Sequence, residues 1–352
     1  MSQSYLDEIA EQPAAIRKLG RLVTPDLIAK AKAIRTAIDN GDVRHVLLTG
    51  MGGSLFSAYG TWLRLSQALP VPVSLWDTSE LIQQASALLR AGTMVIAISQ
   101  SGESVELRRM TELDAGVTVK VAITNPSDNT LARWATLALA TEVGPEQTVS
   151  TKTYSAGLAT LYILERLLTG DGDTLAADIA TLADAAETLL STLPARMGET
   201  LAALGHDRPL TFIGRGASYA SAQMAALVTA EAAKAPTQAL SGGQFRHGPL
   251  ELVRDGFRSL LFLGGSGATL DLNLKTVADI TRFGGRCLVV APEATAAAVA
   301  GNEPVLSLPD VAEGLLPVLE ILPIQLLMVP MAVARGFEPA KFLNGSKITV
   351  IE

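Results

Sequence analysis

The chain has 352 residues, 48% of them apolar and 18% charged, with a formal net charge of −7. That length points to two domains, and that balance to a folded, well-packed protein. An acidic chain with no run of Lys or Arg has no footprint for nucleic acid, and that class is set aside. The N-terminal segment Met1–Pro13 is acidic and amphipathic and lacks the basic start and apolar core of a signal peptide, so a cytoplasmic location is expected. The longest apolar stretch, Leu315–Ala334, is interrupted by Pro317, Glu320, Pro323, Gln325 and Pro330 and reads as a buried helix, not a membrane span. The single cysteine, Cys287, leaves no disulfide framework and reads as a buried strand thiol. His45, His206 and His247 lie far apart with no His-x-x-x-His pair, so no metal site is expected.

In chain order, β-rich runs are predicted at His45–Thr49, Val71–Trp76, Thr93–Ser99, Val117–Thr124 and Leu137–Thr141. Helical segments such as Leu55–Gln67 and Glu103–Leu113 separate them. Apolar strands alternating with helices imply a parallel sheet covered on both faces. One long helical stretch, about Thr153–Leu204, leads to a second series at Leu210–Gly214, Thr237–Leu240, Ser259–Leu263, Cys287–Ala291 and Val305–Leu308. The helix Ala217–Ala233 follows the first of these. Each series opens with an apolar strand running into a glycine turn and a helix, HVLLTGMGGS in one and LTFIGRGAS in the other. The expected fold is therefore α/β, with two tandem doubly wound parallel-sheet domains. The expected boundaries are an N-terminal helical segment at 1–40, domains at 41–195 and 196–335, and a tail at 336–352.

The most informative short segment is Ile98–Ser104, ISQSGES. An apolar strand there ends in Ser99, Ser101 and Ser104 around Gly102, at the acidic start of a helix. Hydroxyls and backbone N–H groups at a helix N-terminus favour a phosphate, although Ser101 or Ser104 could equally be a simple helix cap. Ser54 occupies the corresponding turn after the first strand, and Thr148-Val-Ser-Thr-Lys152 puts further hydroxyls, including Ser150, ahead of a helix.

These motifs carry a resemblance. The chain resembles the double SIS (sugar isomerase) domain family, in particular the isomerase portion of glucosamine-6-phosphate synthase. The likeness runs through Tyr5-Leu-Asp-Glu-Ile-Ala-Glu-Gln-Pro13, Ser99-Gln-Ser-Gly-Glu-Ser104, Ser150-Thr-Lys152 and Gly214-Arg-Gly216. It continues through Arg246-His-Gly-Pro249, Leu322-Pro-Ile-Gln-Leu-Leu327 and Ser346-Lys-Ile-Thr-Val350. The resemblance implies that Ser54, Ser99, Gln100, Ser101, Ser104 and Ser150 bind the sugar and its phosphate. It implies that Glu231 moves the proton between the first two sugar carbons, and that His247 opens the ring from a partner subunit. Lys347 is implied to form an imine with the open-chain ketose. Those residue types suit the chemistry. A carboxylate serves as base beside a carbonyl, an imidazole titrates near neutrality, and a buried amine becomes nucleophilic.

The implied function is an aminosugar-phosphate isomerase or deaminase acting on glucosamine 6-phosphate, or on fructose 6-phosphate plus ammonia. It would work as a homodimer with shared sites and without a cofactor. A fructosamine-phosphate deglycase, a ketose/aldose-phosphate isomerase and a non-catalytic sugar-phosphate regulator are the alternatives. A glutaminase half is not expected, so chemistry on free ammonia or a preformed amine is expected. Val228 and Ala230 stand where the family commonly has lysines, Met224 and Gln244 stand where it has glutamates, and Phe342-Leu343 replaces Pro-Arg. With those lysines gone, the Lys347 amine is expected to depend on burial, its tail anchored by Ile348, Val350 and Ile351.

Overall fold

A computed structural model describes residues 3–299 and 303–347. The chain divides into two compact units. The first-sheet unit comprises Ala14–Glu146, Lys152–Ala180 and the tail from Asn344 to Lys347. The second-sheet unit comprises residues 3–13, Gln147–Thr151 and, among the described residues, 181–343.

The first sheet contains β1 (His45–Gly50), β2 (Val73–Asp77), β3 (Thr93–Ser99), β4 (Val119–Thr124) and β5 (Leu137–Ala140). The strands are parallel, in the order β2-β1-β3-β4-β5. Every residue of β3 is buried, as expected for a central strand covered on both faces. Leu47, Val95 and Ala122 pack on one face with Leu81, Leu107, Met110 and Leu131 from the flanking helices. β2 begins two residues later than its apolar run, because Pro72 has no N–H to donate to a ladder. The carbonyl of Pro72 still accepts from Val46 N at 3.0 Å.

The second sheet repeats the pattern with β6 (Leu210–Gly214), β7 (Thr237–Ser241), β8 (Arg258–Phe262), β9 (Arg286–Pro292) and β10 (Val305–Leu308). Its order is β10-β9-β8-β6-β7, again parallel, and helices cover both faces. Each series, read within itself, has the order 2-1-3-4-5, so the duplication seen in the sequence is real at the level of topology. The long helical stretch is in fact three helices, Lys152–Thr169, Leu175–Thr192 and Met197–Leu204. Gly170, with φ of 88°, ends the first, and Pro194 interrupts the path to the third. The apolar segment forms the helix Leu316–Ala334, and 83% of its most apolar window is buried. It packs against the helix Ser218–Ala233. Tyr5 Oη donates to Gln325 O at 3.1 Å, and Gln12 Nε2 donates to Gln325 Oε1 at 2.7 Å. Cys287 is buried in β9, where burial pushes its thiol up to about 12.

Candidate active site

In a sheet of order 2-1-3-4-5 the connections part company between β1 and β3, and the crevice beyond their carboxyl ends is the expected ligand position. Two hydroxyl turns stand there. After β1, Gly52 at φ 51° turns the chain into the helix Gly53–Ala68, whose first turn carries half-buried Ser54. A Cβ at Gly50 would press on the carbonyl of Ile98 at 3.0 Å, so glycine lets this turn lie against the end of β3. After β3, Gly102 has φ of 68°, and a side chain there would collide with Asn129. Gly102 N donates to Ser99 Oγ at 3.1 Å, and Glu103 N donates to Ser101 Oγ at 3.2 Å. Each hydroxyl that accepts from the backbone keeps its own proton to donate outward. Ser104 occupies the N-cap position of the helix Val105–Glu112 but makes no side-chain cap bond, so capping does not account for its hydroxyl.

Below this turn lies a cavity of about 720 Å³ lined by Gln100, Ser101, Asn125, Asn129, Glu142 and Glu146, among others. Asn125 organises its wall. Its amide N–H donates to Gln100 O at 3.1 Å. Its Oδ1 accepts from Thr141 Oγ1 at 3.0 Å and Val143 N at 2.9 Å, and its Nδ2 donates to Gly144 O at 2.8 Å. The segment after β5 is thereby clamped, and it delivers Glu146.

Glu146 was not singled out from the sequence. Its side chain is fully buried and accepts from Thr153 N at 3.0 Å and Thr153 Oγ1 at 2.6 Å, in the first turn of the helix Lys152–Thr169. Lys347 Nζ meets its Oε2 at 2.5 Å. Burial pushes the Glu146 carboxyl up, but the Lys347 charge and the bonds from Lys347 and Thr153 outweigh it and hold the group below its ordinary range. Beside the expected dependence on burial, the structure gives Lys347 an ion-pair partner, with the lysine side chain 18% exposed. Ile348, Val350 and Ile351, named as tail anchors, lie outside the described residues. The one sequence signal for Glu146 is a carboxylate in a Gly-Pro turn shortly before a helix start.

Ser54, Ser99, Gln100, Ser101, Ser104 and Lys347 thus belong to the first-sheet unit, whereas Glu231, His247 and Ser150 belong to the other. Ser150 is half-buried in a segment held by Glu8, whose carboxylate accepts from Gln147 N at 2.5 Å and from the Thr148 hydroxyl. Half-buried Glu231 sits in the last turn of the helix Ser218–Ala233. Arg335 secures that helix end by donating to Ala233 O at 3.1 Å and Lys234 O at 2.9 Å, and the Lys234 ammonium donates to Glu231 O. His247 is exposed on the turn after Gly242–Arg246, anchored by buried Phe245, which packs on Phe257 with ring centroids 6.2 Å apart.

The crevice of the second sheet is built differently. At the end of β6, Ser218 donates to Glu320 Oε1 at 2.7 Å, and Ser221 donates to Glu320 Oε2. Glu320 is wholly buried, and desolvation raises its carboxyl to about 7 against these two bonds. A raised folded pKa gives stability that is complete below the unfolded value and lost as pH climbs through the folded one. The window for Glu320 is therefore about 4.5 to 7, and the loss about 3 kcal/mol. Glu320→Gln should accordingly gain about 3 kcal/mol on the parent between pH 4 and pH 8, read from urea unfolding at the two pH values. A difference that does not change with pH would contradict this.

Residues 42–168 match the family model for the SIS domain. The chain is 30% identical to the isomerizing glutamine–fructose-6-phosphate aminotransferase of Pyrococcus horikoshii over 99% of its own length, and spans 57% of that protein. It is 30% identical to the same enzyme of Pseudomonas putida, of which it spans 58%. Among solved structures it is similar to the C-terminal domain of glucosamine-fructose-6-phosphate aminotransferase from Francisella tularensis. The TM-score is 0.83 at 22% identity, with 97% and 98% of the two chains covered. It is also similar to glucosamine-6-phosphate deaminase from Thermotoga maritima, with a TM-score of 0.76 at 19% identity and 99% and 100% covered. Residues 42–168 thus match the SIS domain, the second sheet repeats the strand order of the first, and the likeness to the isomerase part of these aminotransferases runs along the whole chain, which spans a little over half of their length.

Proposed function

We propose that the protein is an aminosugar-phosphate isomerase/deaminase that interconverts glucosamine 6-phosphate with fructose 6-phosphate and ammonia. One observation carries the reading. The hydroxyl turn lines the cavity through Gln100 and Ser101, and Glu146, the ion-pair partner of Lys347, lines the same cavity. A phosphate and a carbonyl a few bonds apart call for that pair of groups. His247 opens the sugar ring. Glu231 removes the proton from C2 of the open-chain aldehyde and returns it to C1, leaving an imine at C2. Transfer of that carbon to Lys347 releases ammonia, and water then releases the ketose. Ser54, Ser99, Gln100, Ser101, Ser104 and Ser150 hold the substrate, and a cytoplasmic location goes with this reading.

The test is a panel of aminosugar and fructosamine phosphates assayed for both ammonia and ketose phosphate. Equal yields of ammonia and fructose 6-phosphate from glucosamine 6-phosphate are expected. Ketose phosphate without ammonia would reassign the reaction to plain isomerisation, and turnover of fructosamine phosphates alone would reassign it to deglycation.

Two further outcomes belong to this reading. Ser99→Ala combined with Ser101→Ala should weaken sugar-phosphate binding about tenfold or more, since a bond to a charged oxygen contributes roughly 1.5–3 kcal/mol. Unchanged affinity by calorimetry would put the phosphate elsewhere. We also propose a homodimer in which exposed His247 completes the site of a second copy. Inactive His247→Ala and inactive Glu231→Gln proteins should then regain activity when mixed under conditions of subunit exchange. No recovery would count against a shared site.

A further inference from the structure

We propose that Glu146 is the positioning residue for Lys347, a pre-placed carboxylate that draws the tail onto the cavity wall and fixes its amine there. The inference rests on the role given to Lys347 above and deepens it. Three observations carry it. First, the carboxylate is held by bonds that do not involve the tail, since Thr153 N and Oγ1 reach it at 3.0 and 2.6 Å in the opening turn of an eighteen-residue helix. The N–H groups of that first turn, which have no partner within the helix, and its dipole favour an anion. Second, Asn125 fixes the approach through Gly144 O at 2.8 Å, so the backbone that presents Glu146 is tied to the end of β4. Third, Lys347 Nζ meets Oε2 at 2.5 Å while the surrounding tail residues Asn344, Gly345 and Ser346 are exposed. An exposed segment gains little from burying apolar surface, so the ion pair carries weight in locating the amine.

Position matters chemically because an imine nitrogen must reach one carbonyl carbon in one direction. The nitrogen carries a positive charge both as ammonium and as protonated imine, so a carboxylate fixed beside it serves both states. A buried carboxylate without its cation is costly, which also disfavours tail positions that leave Glu146 unpaired.

The experiment compares the parent, Glu146→Gln, Lys347→Met and the double variant in the full chain. Lys347 acetylation by acetic anhydride is followed by peptide mass spectrometry, with exposed Lys341 as internal reference. The Lys347 rate, relative to Lys341, should rise at least about tenfold in Glu146→Gln, because the amine is released. In kinetics, Glu146→Gln should lower kcat while KM for the sugar phosphate stays near the parent value. In a Lys347→Met background the same change should cost nothing more, since residues acting through one another are non-additive. Glu146→Asp should recover part of the loss. Unchanged acetylation in Glu146→Gln, or a cost that persists in full without Lys347, would overturn the proposal. Released acetylation in a protein whose parent forms no substrate adduct would uphold the positioning and refute the imine role instead.

Discussion

Glu231→Gln is expected to lower turnover roughly 10²–10⁴-fold, the contribution of one positioned base, while leaving sugar-phosphate binding intact. The separation of the two effects follows from where the groups lie. The serine turn is held by its own bonds, Gly102 N to Ser99 Oγ and Glu103 N to Ser101 Oγ, neither of which uses the Glu231 carboxyl. That helix end is held by Arg335 on Ala233 O and Lys234 O, contacts to backbone that do not involve the carboxyl. Circular dichroism and calorimetric binding should therefore match the parent. Near-normal turnover would move the proton transfer to another residue.

Lys347→Met is expected to cost more than about 10³-fold in turnover, the scale lost with a covalent nucleophile. Removing residues 347–352 should do the same and leave both sheets folded, because the strands of both sheets lie between residues 45 and 308. The variant also strips a buried carboxylate of its cation, so a fall in thermal stability should accompany the loss of activity. Full activity after truncation would exclude the tail from the chemistry.

The fold was legible because its strands are apolar throughout and bounded by turns. Thr93–Ser99, Leu210–Gly214 and Val305–Leu308 match the structure residue for residue, as their runs end on Ser, Gly or Pro punctuation. The stretch Thr153–Leu204 was legible as helical from its Ala and Leu, but not its division into three helices, because the breaks at Gly170 and Pro194 act locally. The hydroxyl turn was legible as an unusual density of serines around a glycine. The partnership of Glu146 with Lys347 was not, since it joins residues 201 positions apart and depends on where the tail folds. The carboxylate of Glu320 was equally hidden. In the sequence it is one polar residue in a nearly continuous apolar helix, and only the structure pairs it with Ser218 and Ser221.

The central claim is a lysine imine formed beside a phosphate-binding turn. It is tested most directly by adding borohydride to the protein in the presence of fructose 6-phosphate and mapping the trapped adduct by peptide mass spectrometry. Reduction fixes a transient imine as a stable secondary amine. The account predicts one adduct per chain, on Lys347, suppressed when Ser99 and Ser101 are both alanine. An adduct on Lys152 or Lys341, or no adduct in a protein that turns the sugar phosphate over, would contradict it.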